Sequence, residues 1–367
     1  MKKLLIIIAF MMALAFPVSA EDIYGTQYQN VGADTLSDSL DEQTREFFEE
    51  SGIDVADSTW VNKLTSGNVL KHIWQFVTGG IKIPAATGVT IASVIFVSAA
   101  LTAFSVSSRF ETAIYAAVLS ISALIANNIW QSVASAVNAV KGCSSFMLSF
   151  VPVFSTAVAL SGKTVTAASM SAMLLVATEG VSFISSFAVL PLMGGYLCLS
   201  ISSGVSPLLN GSGITEAVKK VTMWVLSLMG TLFIGVLGIQ TAVNSAADSV
   251  SLRTAKFILG TSVPVAGSVL SEAVSTISGS LGLLRSSIGI YGVAALLFML
   301  LPIVIELALW RCVLMVNISL GELFALPKIT GILKAVDSML SVLLGVVLMV
   351  GGMFIISLSV VVAALKG

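Results

Sequence analysis

From residue 84 onward the chain is a succession of apolar runs, most of them long enough to cross a bilayer, separated by short polar breaks. A hydrocarbon layer of about 30 Å is crossed by a helix of roughly 20 apolar residues. Inside that layer the backbone finds no water, so its N–H and C=O groups must pair within the segment or within a closed barrel. Unbroken apolar runs, without strict alternation, select helices. Strong spans are expected at 85–105, 112–130, 165–187, 188–209, 221–243, 287–310 and 338–364, with interrupted apolar stretches at 144–161 and 254–280. The fold class is therefore all-α, a polytopic transmembrane helical bundle of about 7–9 spans. Composition agrees: 56% of residues are hydrophobic and 10% charged, against about 25% charged in ordinary soluble domains. Membrane lipids are the expected surroundings. A nucleic-acid partner is not expected, since large basic faces and aromatic stacking platforms are absent.

The few charges are unevenly placed. Residues 21–57 hold eleven of the nineteen acids and one base, Arg45. Ahead of them, Lys2 and Lys3 precede an apolar run from Leu4 to Phe16, and Val18, Ser19 and Ala20 supply small residues at the cleavage positions. This pattern reads as a secretory signal peptide over 1–20, its apolar run being shorter than a span. Residues 21–83 then form an acidic exported segment, of which 21 to about 58 is expected to be loosely ordered because it has little apolar area to offset chain entropy. One short helix is expected from Ser39 or Asp41 to Gly52. Leu70, Ile73, Trp74 and Val77 recur at helical spacing beside Lys71 and His72, which reads as an amphipathic helix at the membrane surface. His72, the single histidine, is expected to be a solvated interfacial residue.

The membrane domain is assigned to 84–367, and it carries internal similarity. Val151-Pro152-Val153 recurs as Val263-Pro264-Val265, and Ala136-Val137-Asn138 as Ala242-Val243-Asn244. Ile214-Thr215 with Lys219 and Gly230 recurs at the same spacings as Ile329-Thr330 with Lys334 and Gly345. Two tandem units are proposed, 110–213 and 214–328, with a half unit at 329–367. Proline within a membrane helix removes one donor and frees a carbonyl that needs a partner. Pro152 and Pro264 are thus expected at helix breaks buried in the bundle, the arrangement found at transporter centres.

Intramembrane acids are functional candidates by default. Glu179 lies mid-span with no basic residue nearby in its own helix, and is expected to pair with another helix or to line a wet path. Glu306 is expected to reach toward Arg311. Cys143, Cys198 and Cys312 are an odd number with no metal spacing, so packing roles are expected and no metal or cofactor is assigned. An enzyme is not expected: there is no HExxH motif, no paired aspartates and no serine with a histidine partner in the membrane domain. With Glu21 outside, the basic residues Arg109, Lys163, Lys219 and Lys220 all fall inside if 144–161 spans.

The densest polar patterning runs from Asp248 to Gly292 and includes SLRTAKF, VPVAGS and LSEAVSTISG. Together with the signal peptide, the acidic segment and VPVFSTAVALSG at 151–162, it resembles the stage III sporulation protein AE family over essentially the whole chain. The resemblance implies a multi-pass protein of the mother cell membrane surrounding the forespore. It further implies a subunit of a secretion-like channel linking the two cells and supporting late forespore development. Implied partners are other proteins of the stage III sporulation operon, among them a secretion-type ATPase and ring-forming membrane proteins, and a forespore channel protein; a homo-oligomer is left open. No catalytic residues carry over, so Arg253, Lys256, Pro264 and Glu272 stand as structural candidates. The alternative is a self-contained small-solute transporter or channel, favoured by the paired prolines and Glu179.

Overall fold

A computed structural model describes residues 28–54, 66–103, 109–184, 190–205, most of 213–243, and 267–365. Among them there is no strand, so the all-α expectation holds. The helices are α1 (Glu42–Ser51), α2 (Ser66–Gly80), α3 (Lys82–Ala103), α4 (Arg109–Leu160), α5 (Thr164–Ile184), α6 (Leu190–Val205), α7 (Glu216–Gln240), α8 (Gly267–Leu323) and α9 (Pro327–Leu365). A 3-10 turn, Ala33–Ser39, precedes α1. Five stretches among the described residues are long and apolar enough to cross a membrane: Lys71–Ala103, Ile114–Leu160, Glu216–Gln240, Ser287–Leu323 and Pro327–Ser359.

The core is a seam between α4, α8 and α9, and the spacing of its residues explains the helices' length. On α4 the buried positions run Val118, Ile121, Ile125, Ile129, Val133, Ala136, Val140, Cys143, Met147, Phe150, Phe154 and Ala157. On α9 they run Ile329, Ile332, Val336, Met339, Leu343, Val346, Val350 and Phe354. Alternating steps of three and four keep one stripe facing a partner helix over many turns, as in a coiled coil. Helices α4 and α8 run antiparallel: Gly292 faces Phe150, and Gly142 faces Met299.

This seam corrects the expected break between 112–130 and 144–161. Both belong to one 52-residue helix, about 78 Å long at 1.5 Å per residue. Gln131, Ser135, Asn138 and Lys141 lower the local hydropathy, but all are exposed, while Val133, Ala136, Val140 and Cys143 continue the buried stripe. Pro152 is likewise corrected: it lies inside α4, not at a break, and is exposed. The helix passes through it because the apolar seam continues on both sides, through Phe150 and Phe154. Thr156 Oγ1 donates to the Pro152 carbonyl at 2.8 Å. Arg109 and Lys163 now fall at opposite ends of α4, on opposite sides of any bilayer the helix crosses, so they do not share a side. Pro264 lies outside the described residues.

Two helical hairpins form the frame, and their turns share one motif. Between α4 and α5, Gly162 (φ 87) donates to the Ala159 carbonyl at 3.0 Å and Lys163 N donates to Val158 O at 3.4 Å. Between α8 and α9, Ala325 (φ 52) donates to Glu322 O at 3.0 Å, and Leu326 N to Gly321 O at 2.9 Å. Both are left-handed caps of the kind glycine favours. Opposite effects are expected: Gly162→Ala destabilises by about 1 kcal/mol, and Ala325→Gly relieves strain of similar size. Thermal unfolding in detergent reads both signs, and two shifts in the same direction would contradict the account.

The acidic segment also differs from expectation over its described residues, 28–54. Its helix forms where predicted, with the Asp41 carboxylate accepting from Thr44 N at 3.3 Å and Gly52 (φ 64) closing the C-terminus. It is not loose, because Val31, Leu36, Leu40, Phe47, Phe48 and Ile53 are all buried. Phe47 packs on Phe298 at 4.4 Å between ring centroids, and Phe48 meets Tyr291 edge-on at 5.2 Å. A handful of aromatic and aliphatic side chains, placed on one face, supplies the apolar area that the average composition hides. His72 is corrected with it: the ring lies 4.1 Å from Phe47 and 5.0 Å from Phe76, so it is half-buried in an aromatic cluster. Trp74 points outward, 67% exposed. Helix α2 is joined to α3 without a break in the backbone ladder, since Ile81 N donates to Val77 O and Ala85 N to Ile81 O.

Candidate functional site

Most polar side chains of the bundle bond back to their own helix; Ser98, Ser122, Ser144, Thr178 and Ser357 each donate to a carbonyl four residues earlier. A smaller set reaches between helices; apart from Gln240, whose Nε2 donates from α7 to the Ser169 carbonyl of α5 at 3.3 Å, this set gathers in one half of the bundle. Asn128 Nδ2 of α4 donates to Thr87 Oγ1 of α3 at 3.0 Å. Ser132 Oγ of α4 donates to Glu306 Oε1 of α8 at 2.5 Å. Arg311 Nε of α8 pairs with Asp337 Oδ1 of α9 at 2.9 Å. Lys219 Nζ of α7 donates to Ser338 Oγ of α9 at 3.0 Å. Lys334 pairs with Glu322 at 2.7 Å across the α8–α9 hairpin, and Lys328 sits 3.9 Å above the Tyr115 ring of α4.

These contacts tie α3, α4, α7, α8 and α9 into one polar belt. Where lipid and protein are equally apolar, close packing and interhelical hydrogen bonds carry association. The belt has both. Gly88 of α3 lies so close to α8 that a Cβ would stand 2.3 Å from Val313 Cγ1 and 3.3 Å from Asn317 Nδ2. Asn317 is buried, donates to Val313 O at 2.9 Å, and leaves its Oδ1 without a partner among the described residues.

Glu306 is brought into the belt but not as expected. Its partner is Ser132, 174 residues away, and Arg311 turns instead to Asp337. Helical geometry explains the exchange, because residues five apart lie on different faces of α8 and meet different helices. Glu179 stands exposed on α5, with no ion partner among the described residues. Pro152 lies outside the belt, on the exposed face of α4. Glu272 belongs to the N-terminal part of α8, and Arg253 and Lys256 lie outside the described residues. Sequence reading missed Asp337, although it is one of only eight acids after residue 57, because it falls just before the apolar run at 338–364. Among the described residues no group of three His, Cys, Asp or Glu side chains is placed to hold a metal.

Long apolar helices, small-residue contacts and a polar belt between helices define a polytopic α-helical membrane protein. The profile of the family described as stage III sporulation protein AE matches residues 59–365, and the chain belongs to that family. Stage III sporulation protein AE of Bacillus subtilis (strain 168) is 28% identical over 242 residues. That alignment covers 66% of this chain and 60% of the relative, so the chain spans about three fifths of the relative's length. No solved structure matches.

Proposed function

We propose that this chain is a non-enzymatic membrane subunit of a secretion-like channel complex that links mother cell and forespore and supports late forespore development. The observation that carries the reading is the family match over residues 59–365, which supports a role in sporulation. The long helices fit such a subunit: α4, about 78 Å long, exceeds the ~30 Å hydrocarbon layer and leaves protein surface beyond it for partners. Its place is the mother cell membrane surrounding the forespore. Its partners are other stage III sporulation proteins, including a secretion-type ATPase, ring-forming membrane proteins and the forespore channel protein. The test is deletion in the native spore-forming host, with forespore-specific gene expression followed after engulfment. Late expression and spore yield are expected to collapse and to return with the full-length chain; normal spores would overturn the reading.

A further inference from the structure

Opposite the buried seam, α4 presents a polar stripe. Asn127, Gln131, Ser135, Asn138, Lys141 and Ser145 are all exposed, at steps of three and four residues, on the outward side of the helix. None of these six side chains has a hydrogen-bond or ion partner among the described residues, unlike the belt residues Asn128 and Ser132 of the same helix. The stripe lies within the apolar stretch Ile114–Leu160. A crossing takes roughly 20 residues, and every window of that length within 114–160 contains at least two of the six. Every such placement therefore keeps part of the stripe in hydrocarbon, and every window that starts at residue 122 or later, the larger share of those within 114–160, includes Lys141. Unpaired amides and an ammonium are costly in lipid and are found facing protein or water.

The charge decides between these two. In a symmetric membrane assembly the copies share one orientation, so a dry stripe-to-stripe seam would bring each Lys141 against its counterpart. The stripe carries no acid to neutralise that pair, and like charges in a medium of low dielectric repel strongly. Water between the copies removes the conflict. What faces a polar wall in a membrane must also be polar, and further copies supply the same stripe.

We propose that this face of α4 lines a water-filled path through the membrane, enclosed by further copies of this chain, with Lys141 giving it a preference for anions. The proposal rests on the channel reading above and names the wall of that channel. It is tested by single cysteines at Ser135, Asn138 and Ser145 in a full-length chain whose Cys143, Cys198 and Cys312 are alanine, each variant first checked for spore yield. Membranes from sporulating cells are treated with a membrane-impermeant anionic methanethiosulfonate. Because the reactive thiolate forms in water, the three stripe positions are expected to react at least about tenfold faster than Val89→Cys and Val176→Cys, exposed apolar positions on α3 and α5. With Lys141→Glu added, Asn138→Cys is expected to react faster with a cationic reagent than with the anionic one. Rates at the stripe no faster than at Val89 and Val176 would overturn the proposal, as would efficient oxidative cross-linking of Asn138→Cys between copies without labelling, which marks a dry seam. Failure of the channel reading shows separately, as normal forespore development on deletion, whatever the labelling rates.

Discussion

Gly292→Val is expected to open the seam between α4 and α8. A Cβ at Gly292 would stand 2.4 Å from Phe150 Cζ and 2.5 Å from Cε2, closer than atoms tolerate. Phe150 has nowhere simple to go. It is fully buried and stacked between Phe146 and Phe154, at centroid distances of 5.5 and 5.4 Å. Moving the ring means moving the stack or separating the helices, and overpacking of this kind costs about 3 kcal/mol at the upper end of its usual range. The check is a double-mutant cycle by detergent unfolding. Phe150→Ala makes room, so Gly292→Val should cost far less in that background than in the native chain. Additive costs would show that the ring does not set the limit at Gly292.

Asp337→Ala is expected to have the second large effect. Its carboxylate is the ion partner of Arg311 across the α8–α9 seam, with side chains 19% and 26% exposed. Arg311 keeps its charge in any environment, so removing Asp337 strands a largely desolvated cation between helices. The expected loss is about 2–3 kcal/mol, below the 3–5 of a fully buried pair because some screening remains. Replacing both residues by leucine should recover most of the loss, since two apolar side chains leave no stranded charge. A double variant as unstable as Asp337→Ala would mean that the pair contributes packing shape instead of charge compensation.

Sequence reading succeeded where the cause is local. The α1 helix was legible at both ends, because the Asp41 side chain caps its own third residue and Gly52 takes a left-handed conformation that glycine adopts without strain. It failed at residues 131–143, where averaging along the chain mixed two faces of one helix. The apolar positions there continue the seam, and the polar ones form the outward stripe. The same averaging hid the docking of Phe47 and Phe48, whose partners Phe298 and Tyr291 lie some 250 residues along the chain.

By itself the sequence determined that this is an all-α membrane protein and where its apolar runs lie, because the length and continuity of apolar runs are properties of single segments; the family resemblance came separately, from motifs such as SLRTAKF and VPVAGS. Only the tertiary structure decided which polar groups meet. Ser132 finds Glu306, Asp337 finds Arg311 and Lys219 finds Ser338 across helix seams. Such pairings depend on the rotation and register of whole helices against one another, set by close contacts such as those at Gly88 and Gly292. One-dimensional spacing does not contain that information: it places residues on a helix face, and packing then determines what the face meets.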